Sequence, residues 1–358
     1  MRSFTADQVR WLRVRAQGLA GGADTARSVA EAVRRAAALQ AQAAGPARVQ
    51  VWSRSDGLRP GDGDAAFADA AIVRTWLMRG TIHAVAAEDL RPMLAVLGPV
   101  NLRSGQRRRE QLGLTAEVCD RAMTALPKIL GDGRALTRAE LVGELAAYSV
   151  LLDPKTQQPP HLLAFAANSA LICRGTDAAR DEPTYVLIDE WLGSGGAATP
   201  DRDAALRLLA QRYFAAYAPA SAADFAAWSG LPAADAKAAV ELIRERLEEV
   251  DHDGARLLLP HGTEPAPPER PCRLLGRFDP YLLGHRSRDL ILDPAFAKRV
   301  NAGGGMIAQT MLAEGRIVGT WNGGALQPFA DLPTAALKAF HEEAERYLEW
   351  STNADERA

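Results

Sequence analysis

The order of predicted elements between residues 201 and 260 constrains the fold more than any other feature of the chain. Apolar residues at helical spacing predict three helices, and two β-prone runs after them predict a hairpin. The turn Ser229-Gly230-Leu231-Pro232 separates the last two helices, and Asp251-His252-Asp253-Gly254 is typical of a hairpin tip. This is the order of a helix-turn-helix with a wing. The helices are predicted at residues 202–217, 222–228 and 233–246, and the strands at 247–250 and 256–259.

The same order recurs nearer the N-terminus, although no repeat of fixed period is visible in the sequence. The first 100 residues predict two helices, a short strand at Val49-Gln50-Val51-Trp52, a helical turn and a hairpin that closes at Arg79-Gly80. Four further helices and one strand follow. The helices are predicted at residues 6–17, 24–39, 101–111, 115–130, 137–148 and 160–171, the turn at 64–70, and the strands at 72–78, 81–85 and 183–188.

A proline-rich linker at residues 262–271 precedes a C-terminal segment of short strands. Glu-Gly and Asn-Gly-Gly turns separate these strands, which indicates a small barrel-like sheet, and a charged amphipathic helix at 332–350 closes the chain. The expected fold class is therefore α+β, mainly α. The strands are predicted at 307–312, 316–321 and 325–329, and the whole chain divides into units 1–100, 101–197, 198–261 and 270–358.

Charge is distributed unevenly along the chain. The formal net charge of -2 does not favour nucleic-acid binding when it is taken as a total. Acidic residues, however, concentrate at 241–253 and 342–349, whereas arginines cluster elsewhere, so a basic cleft on a neutral body is possible. Solvated helix faces would explain each cluster equally well. The arginine clusters are Arg10, Arg13 and Arg15; Arg34 and Arg35; Arg103, Arg107, Arg108 and Arg109; and Arg270, Arg273, Arg277, Arg286 and Arg288.

Several standard chemistries have no motif here. The sequence contains no Walker A loop, no GxGxxG after a strand, no HExxH and no CxxC, and its six histidines are far apart. We therefore expect no metal and no cofactor. The three cysteines are odd in number and scattered, which fits a reducing cytoplasm, and no apolar run indicates export or membrane insertion.

The pair Gln40 and Gln42 is the strongest candidate for chemistry. Two neutral amides one residue apart can hold a water or a developing cation between their carbonyl oxygens. An extended backbone would place both on one face, and Gly45-Pro46 follows at once, so the preceding helix is expected to end here. The alternative is two polar residues at a frayed helix end.

Two further segments mix polar and aromatic residues in turns. One is the hairpin at residues 74–83, in which Trp76 and Met78 could instead pack inward around a solvated Arg79. The other is the loop at 277–286, in which Asp279-Pro280 could simply start a turn. Loops of this composition often carry function.

Taken together, these segments resemble the AlkZ-type DNA glycosylases of the winged-helix DNA-binding-domain superfamily. The resemblance extends over residues 7–325 and rests on the order and spacing of its motifs. These are residues 15–19, Leu39-Gln40-Ala41-Gln42, residues 76–83, 226–231, 277–286 and 315–321.

The resemblance implies three tandem winged-helix units and a C-terminal β-domain around a concave DNA-binding cleft. It also implies excision of alkylated purines and, in some members, unhooking of interstrand crosslinks made by antibiotics. The family's catalytic glutamines map onto Gln40 and Gln42; a sister branch has Asp at the second position, and this chain does not. The expected protein is a monomeric, cytoplasmic and nucleoid-associated DNA-repair enzyme that acts on double-stranded DNA. The candidate DNA contacts are Trp52, Arg54, Arg79, His83, Arg277, Asp279, His285 and Arg286.

The chemistry of the pair limits the reaction. An N7- or N3-alkylated purine is already cationic and leaves without a general acid, while the sugar develops oxocarbenium character. Two amide oxygens can place a water and supply partial negative charge near C1′, but they cannot act as a base. With no amine nucleophile in the motif, the expected product is an abasic site in an uncut strand.

Two other classes remain open at this point. A non-catalytic winged-helix regulator would insert the helix at 233–246 into a major groove, but the acidic residues at 241–249 make a poor surface for that. An interaction scaffold would leave the glutamine pair and residues 79–83 without a role. The glycosylase accounts for more of the sequence.

Overall fold

The computed structural model describes residues 1–193, 200–269 and 271–355. Its first third contains a hairpin preceded by a strand and helices. The elements are β1 (Arg2–Ser3), α1 (Ala6–Ala16), α2 (Val29–Arg35), β2 (Leu39–Gln40), α3 (Ala44–Ser53), α4 (Pro60–Ala68), β3 (Ile72–Trp76) and β4 (Ile82–Ala86).

A long helix, α5 (Ala87–Gln111), leads into the second third. It contains Pro92 and Pro99 and approaches its neighbour closely, since a Cβ on Gly98 would lie 2.4 Å from the carbonyl oxygen of Asn168. The following elements repeat the first order. They are α6 (Ala116–Leu130), β5 (Leu136–Thr137), α7 (Arg138–Ala146), α8 (Gln158–Asn168), β6 (Ile172–Arg174), β7 (Thr184–Leu187) and the short α9 (Ile188–Trp191).

The last part holds a third helical unit and a C-terminal sheet covered by a helix. Its elements are α10 (Arg202–Tyr217), α11 (Ala222–Ser229), α12 (Ala233–Glu241), β8 (Leu247–His252), β9 (Ala255–Pro260), β10 (Cys272–Leu275), α13 (Pro280–Leu283), α14 (Ala297–Val300), β11 (Thr310–Ala313), β12 (Arg316–Asn322), β13 (Ala325–Pro328) and α15 (Thr334–Asp355).

One pairing rule is common to the three helical units. In each, a short extended segment before the second helix pairs with the second strand of the hairpin. The pairs are β2 with β4, β5 with β7, and Ala220 with Leu258 in β9. The three units therefore share one topology, helix–strand–helix–helix–hairpin, without a repeat in the sequence.

The first two hairpins join into one antiparallel sheet with the order β2-β4-β3-β6-β7-β5. From either edge inwards, the order is the short strand, then the second hairpin strand, then the first hairpin strand. The two halves meet at the pair Arg74 and Arg174. One face of the central strands carries Val73, Val85, Cys173 and Val186, which join α5 and α10 in the main core. The sheet thus fixes the first two units relative to each other.

The C-terminal sheet has the order β10-β11-β12-β13 and packs against α15. It contacts the first unit through α3, since Val49 and Trp52 share a core with Leu274 and Phe340. This sheet is open at both edges rather than closed into a barrel.

The α+β class is confirmed, and five of the ten predicted helices lie within two residues of their predicted ends. The helix predicted at 101–111 begins already at Ala87, and the helix predicted at 233–246 ends at Glu241. Residues 49–52 differ in type, because they form the last turns of α3 and not a strand. Their β-branched composition misled the prediction; Val49, Gln50, Trp52 and Ser53 are buried at helical spacing, and packing overrides propensity.

Other differences concern element ends. The helix predicted at 24–39 spans only Val29–Arg35, with Ser28 as its cap. Gly45 and Pro46 lie in the first turn of α3, where proline is tolerated, and so begin a helix rather than end one. The predicted unit boundary at 197 and 198, and residues 270 and 356–358, lie outside the described residues. No helix in the described ranges is long and apolar enough to cross a membrane.

Candidate functional site

The Gln40–Gln42 pair lies where β2 runs towards α3. The backbone is extended here, and the N–H of Ala41 donates to the carbonyl of Ile82 at 2.9 Å. Leu39 and Ala41 are fully buried, whereas Gln40 is half-buried and Gln42 is exposed. The residues of the motif that carry amides are therefore the ones nearest solvent.

Backbone carbonyls hold this segment in place. The Gln50 Nε2 donates both to the carbonyl of Gln40 at 3.2 Å and to the carbonyl of Arg277 at 2.9 Å. The Arg174 Nη1 donates to the carbonyl of Gln42 at 3.2 Å. Within the described residues, neither Gln40 nor Gln42 has a hydrogen-bond partner for its side-chain amide. The motif is thus fixed through its backbone, and its amides remain available for a ligand.

His83 is the cross-strand partner of Gln40, and Thr75 is the partner of His83 on the other side. Partners opposite each other in an antiparallel sheet share a face, so these three side chains point the same way. The His83 ring is 4% exposed and its Nδ1 lies 2.9 Å from the carbonyl of Thr81. Burial, with a smaller contribution from Arg79, lowers the pKa of His83 to about 4. His83 is therefore neutral at physiological pH and is buried beside Gln40, which corrects its assignment as a surface contact to DNA.

Arg54 and Asp279 form a fully buried ion pair. Both carboxylate oxygens accept from the guanidinium at 2.8 Å, and both side chains have zero exposure. The same guanidinium donates to the Gln17 Oε1 at 2.8 Å and to the carbonyl of Gln50 at 3.0 Å. Neither residue can reach DNA, so the sequence-based assignment of both as DNA contacts is wrong. They support Gln50, which in turn holds Gln40.

Trp52 is also buried, with 2% exposure. Its ring centroid lies 5.5 Å from that of Tyr347 and 6.1 Å from that of Trp350, and the Arg346 guanidinium lies 4.1 Å away. All three partners belong to α15, which covers this side of α3. Trp52 is a core residue and not a DNA contact.

His285 and Arg286 differ in exposure. The half-buried His285 ring places its Nε2 3.0 Å from the carbonyl of Tyr217, and burial lowers its pKa to about 3. The Arg286 side chain is exposed, while its backbone N–H donates to the Asp224 Oδ1 at 2.9 Å. Arg286 is positioned to meet a ligand, whereas His285 is engaged with the protein.

Arg79 lies at the tip of the first hairpin in a left-handed conformation with φ of 55°. Its Nη1 donates to the carbonyls of Trp228 and Ala227 at the end of α11. Arg286 is tied to Asp224 in the first turn of the same helix, so these two exposed arginines mark opposite ends of α11. Arg277 is exposed close to the motif, since Gln50 bonds its carbonyl and that of Gln40.

A pocket that the sequence analysis did not identify borders Gln42. It has a volume of about 350 Å³, lies between the C-terminal half of α5, α8 and the first hairpin, and contains no carboxylate among its lining residues. We call it the basic pocket and define it by Trp76, Arg109, Arg138, His161, Arg174 and Tyr185.

One sequence signal pointed to part of this pocket. The arginine run at 107–109 was visible as a cluster. Arg174 was not found because β6 is only three residues long and was not predicted as a strand. Its proximity to Gln42 depends on the pairing of β3 with β6, which no local pattern encodes.

Comparisons with known proteins identify a family model, a relative and a solved structure that are similar to this chain. A family model described as DNA glycosylase AlkZ-like matches residues 33–350. An interstrand DNA cross-link repair glycosylase of Streptomyces sahachiroi is 28% identical over 333 residues, which cover 88% of this chain and 89% of the relative. The solved structure of the Streptomyces sahachiroi DNA glycosylase AlkZ superimposes with a TM-score of 0.84 at 25% identity, covering 97% of each chain.

Proposed function

Because this chain belongs to the AlkZ-like DNA glycosylase family, we propose that it releases cationic alkylated purines from double-stranded DNA. DNA glycosylases hydrolyse N-glycosyl bonds, so the protein is an enzyme of that class. The proposed substrates are N7-alkylguanine and N3-alkyladenine, whose positive charge makes the base a good leaving group. Gln40 and Gln42 are the proposed catalytic residues.

The observation that supports this proposal is the state of the two glutamines. Their backbone is fixed by Gln50 and Arg174, while their amides have no partner among the described residues. Preorganised dipoles near C1′ stabilise an oxocarbenium-like transition state without reorganisation. Two amide oxygens can also hold the attacking water in position.

The surroundings of the motif offer no stronger catalyst. Asp279, a carboxylate of the candidate site, is paired with Arg54 at 2.8 Å and has zero exposure. His83 is neutral because burial lowers its pKa to about 4. The reaction therefore depends on the charge of the leaving base, and no lysine lines the basic pocket to form a Schiff base. The product is an abasic site.

The three helical units are proposed to act as winged helices around a concave cleft, with unit boundaries at 1–100, 101–197, 198–261 and 270–358. Their shared topology supports this, as each short strand pairs with the second strand of its hairpin. Arg79, Arg277 and Arg286 are exposed and are proposed to bind phosphates, which gives binding that depends on salt. The enzyme is proposed to act as a monomer.

Unhooking of interstrand crosslinks is part of the proposal. The Streptomyces relative is named for cross-link repair, and it covers most of this chain. A crosslinked base cannot be flipped out of a duplex, unlike the base in most glycosylase reactions. An open cleft with amides near its surface suits such a substrate, and Gln42 is exposed.

The test is incubation of the purified protein with a duplex that contains N7-methylguanine, followed by alkali. We expect strand breaks at the modified guanine only after alkali, because the enzyme leaves an abasic site. The Gln40→Ala/Gln42→Ala double variant is the control. An intact strand after alkali with the wild-type protein, or full release by the double variant, would contradict the proposal.

A further inference from the structure

The basic pocket has a wall from each of two units. Asn101 of α5 holds the walls together, since its Nδ2 donates to the carbonyl of Leu77 in the first hairpin and to the Asn168 Oδ1 of α8, both at 2.8 Å. The floor is the ring pair Trp76 and Tyr185, stacked with centroids 6.4 Å apart. The pocket is therefore a built feature of the interface between the first two units.

Among the described residues, no carboxylate forms an ion pair with the arginines of this pocket. Arg109, Arg138 and Arg174 have no carboxylate within 4.0 Å in the described part of the chain. Other arginines close by do have one: Arg134 is paired with Glu144 at 2.9 Å, and Arg74 is paired with Asp177. The three pocket arginines thus differ from their neighbours in lacking an anionic partner.

The pKa of His161 is affected by the positive charge around the pocket. Burial lowers the pKa of its ring, and the positive charges of Arg108 and Arg109 lower it further. The part of this lowering that comes from Arg108 and Arg109 agrees with a pocket whose arginines favour an anion over a cation. An alkylated purine is cationic, so it is not the expected occupant.

Arg174 connects the pocket to the catalytic motif. It is 7% exposed, its Nη1 donates to the carbonyl of Gln42 at 3.2 Å, and its buried Nε has no hydrogen-bond partner in the structure. Its guanidinium lies 5.9 Å from the Trp76 ring. One side of this guanidinium therefore fixes Gln42, and the Tyr185 side chain, which also lines the pocket, interacts with the same group.

We propose that the basic pocket binds one phosphodiester group of the DNA strand that carries the modified base. Guanidinium groups match phosphate geometry and form charge-assisted bonds with it, and no competing carboxylate lines the pocket. The proposal rests on the proposed function, since it places this phosphate next to the base that Gln40 and Gln42 release. Arg138 and Arg109 hold the phosphate, and Arg174 is a positioning residue for Gln42.

This arrangement explains how an open site can place C1′ accurately. A strand fixed at one phosphate beside the lesion has little freedom at the neighbouring sugar. Because Arg174 lines the pocket and also bonds the Gln42 carbonyl, the phosphate held by Arg109 and Arg138 lies close to the backbone that carries the Gln42 amide.

The experiment is a scan with neutral methylphosphonate linkages. Each phosphate within three nucleotides of the lesion is replaced in turn, in a duplex whose 2′-fluorinated N7-methylguanosine resists cleavage. Binding is measured for the wild-type protein and for Arg138→Ala. At one linkage we expect the wild-type protein to lose about tenfold in affinity, the usual effect of removing one hydrogen bond to a charged group. Arg138→Ala should lose clearly less than the wild-type protein at that linkage, because only Arg109 still holds the phosphate there.

Arg134→Ala is the matched control, because this exposed arginine lies four residues away on the same segment and is paired with Glu144. Arg134→Ala should lose as much affinity at the sensitive linkage as the wild-type protein does. Arg138→Lys retains the charge, so its affinity should again depend in part on the phosphate at that linkage. Additive losses for Arg138→Ala at every linkage would overturn the proposal, even if the enzyme releases N7-methylguanine normally. Failure of base release by the wild-type enzyme would instead overturn the proposed function.

The Arg174→Lys variant tests whether Arg174 positions the Gln42 amide or only binds the DNA phosphate. If Arg174 sets the position of the Gln42 amide, this variant lowers the single-turnover rate of base release while duplex affinity changes little. Equal losses of rate and affinity would show that Arg174 only binds phosphate and does not position Gln42.

Discussion

Gln40 and Gln42 are expected to act in the transition state rather than in DNA binding. Replacing either with Ala should lower the single-turnover rate of base release by about tenfold or more, with duplex affinity nearly unchanged. The structure supports this, because the two side-chain amides have no hydrogen-bond partner among residues 1–193, 200–269 and 271–355. The exposed Gln111 provides a control, as Gln111→Ala should leave the rate unchanged. A fully active double variant would remove the catalytic assignment.

Two histidines, the buried His83 and the half-buried His285, make the stability depend on pH. The folded pKa is about 4 for His83 and about 3 for His285, whereas an unfolded histidine has a pKa near 6.5. The unfolded state therefore binds more protons below about pH 6.5, so stability is complete above that pH and falls as the solution is acidified. The loss is up to about 1.4 kcal/mol per pH unit for each histidine.

Urea unfolding of the wild-type protein and of His83→Asn at pH 7, 6 and 5 checks this. The variant should show a clearly shallower fall in the free energy of unfolding between pH 6 and 5. Parallel pH profiles would mean that His83 is not held neutral in the folded protein.

The Arg54–Asp279 pair is expected to be structural. Asp279→Ala leaves a fully buried guanidinium without its carboxylate, which should cost about 3–5 kcal/mol in unfolding free energy. Asp293 is a close match, because it also caps a short helix ahead of a proline but is exposed. Asp293→Ala should cost only about 1 kcal/mol. Equal costs, measured by urea unfolding, would show that the buried pair contributes little.

Sequence patterns identified the glutamine pair, but they did not predict which of the surrounding residues are buried. Trp52, Arg54 and Asp279 have the composition of a DNA-binding loop, and all three are buried. Their burial results from contacts between segments more than 200 positions apart, such as Arg54 with Asp279 and Trp52 with α15. A local pattern cannot predict contacts at that separation.

At the scale of elements, the arginines at the two ends of α11 should behave differently. Arg286 is exposed, so Arg286→Ala should flatten the salt dependence of duplex binding by about one charge and leave the melting temperature unchanged. Arg79 also bonds the last carbonyls of α11, so Arg79→Ala should flatten the slope and lower the melting temperature as well.

Affinity against salt concentration, with thermal melts alongside, measures both effects. An unchanged slope for Arg286→Ala would place the DNA-binding surface elsewhere.

Most helices and hairpins were predictable, because their periodicity and turns are local. The strands β5, β6 and β10 were not, since each has two to four residues and is defined by its partners. The structure also bears on the regulator alternative: Lys237 is the only cation on α12, which is a weak basis for insertion into a DNA groove.

At the scale of the whole molecule, substrate range should follow the charge of the leaving base. N7-alkylguanine and N3-alkyladenine should be released, whereas uracil and hypoxanthine should not, because no group near the motif can protonate them. Release rates from four matched duplexes test this. Efficient release of uracil would require an acid in the site, and Asp279 could supply it only by leaving its ion pair with Arg54.

The palindromic sheet of the first two units has the arrangement of a two-fold symmetric dimer interface within a single chain. Its dyad passes between Arg74 and Arg174 and relates Gln40 to Thr137. The Thr137 hydroxyl caps α7, so the mate of the proposed catalytic position has a structural role. Gene duplication and fusion would leave such a pattern: one copy carries the proposed catalytic glutamines, and the other reaches back through Arg174 to hold Gln42.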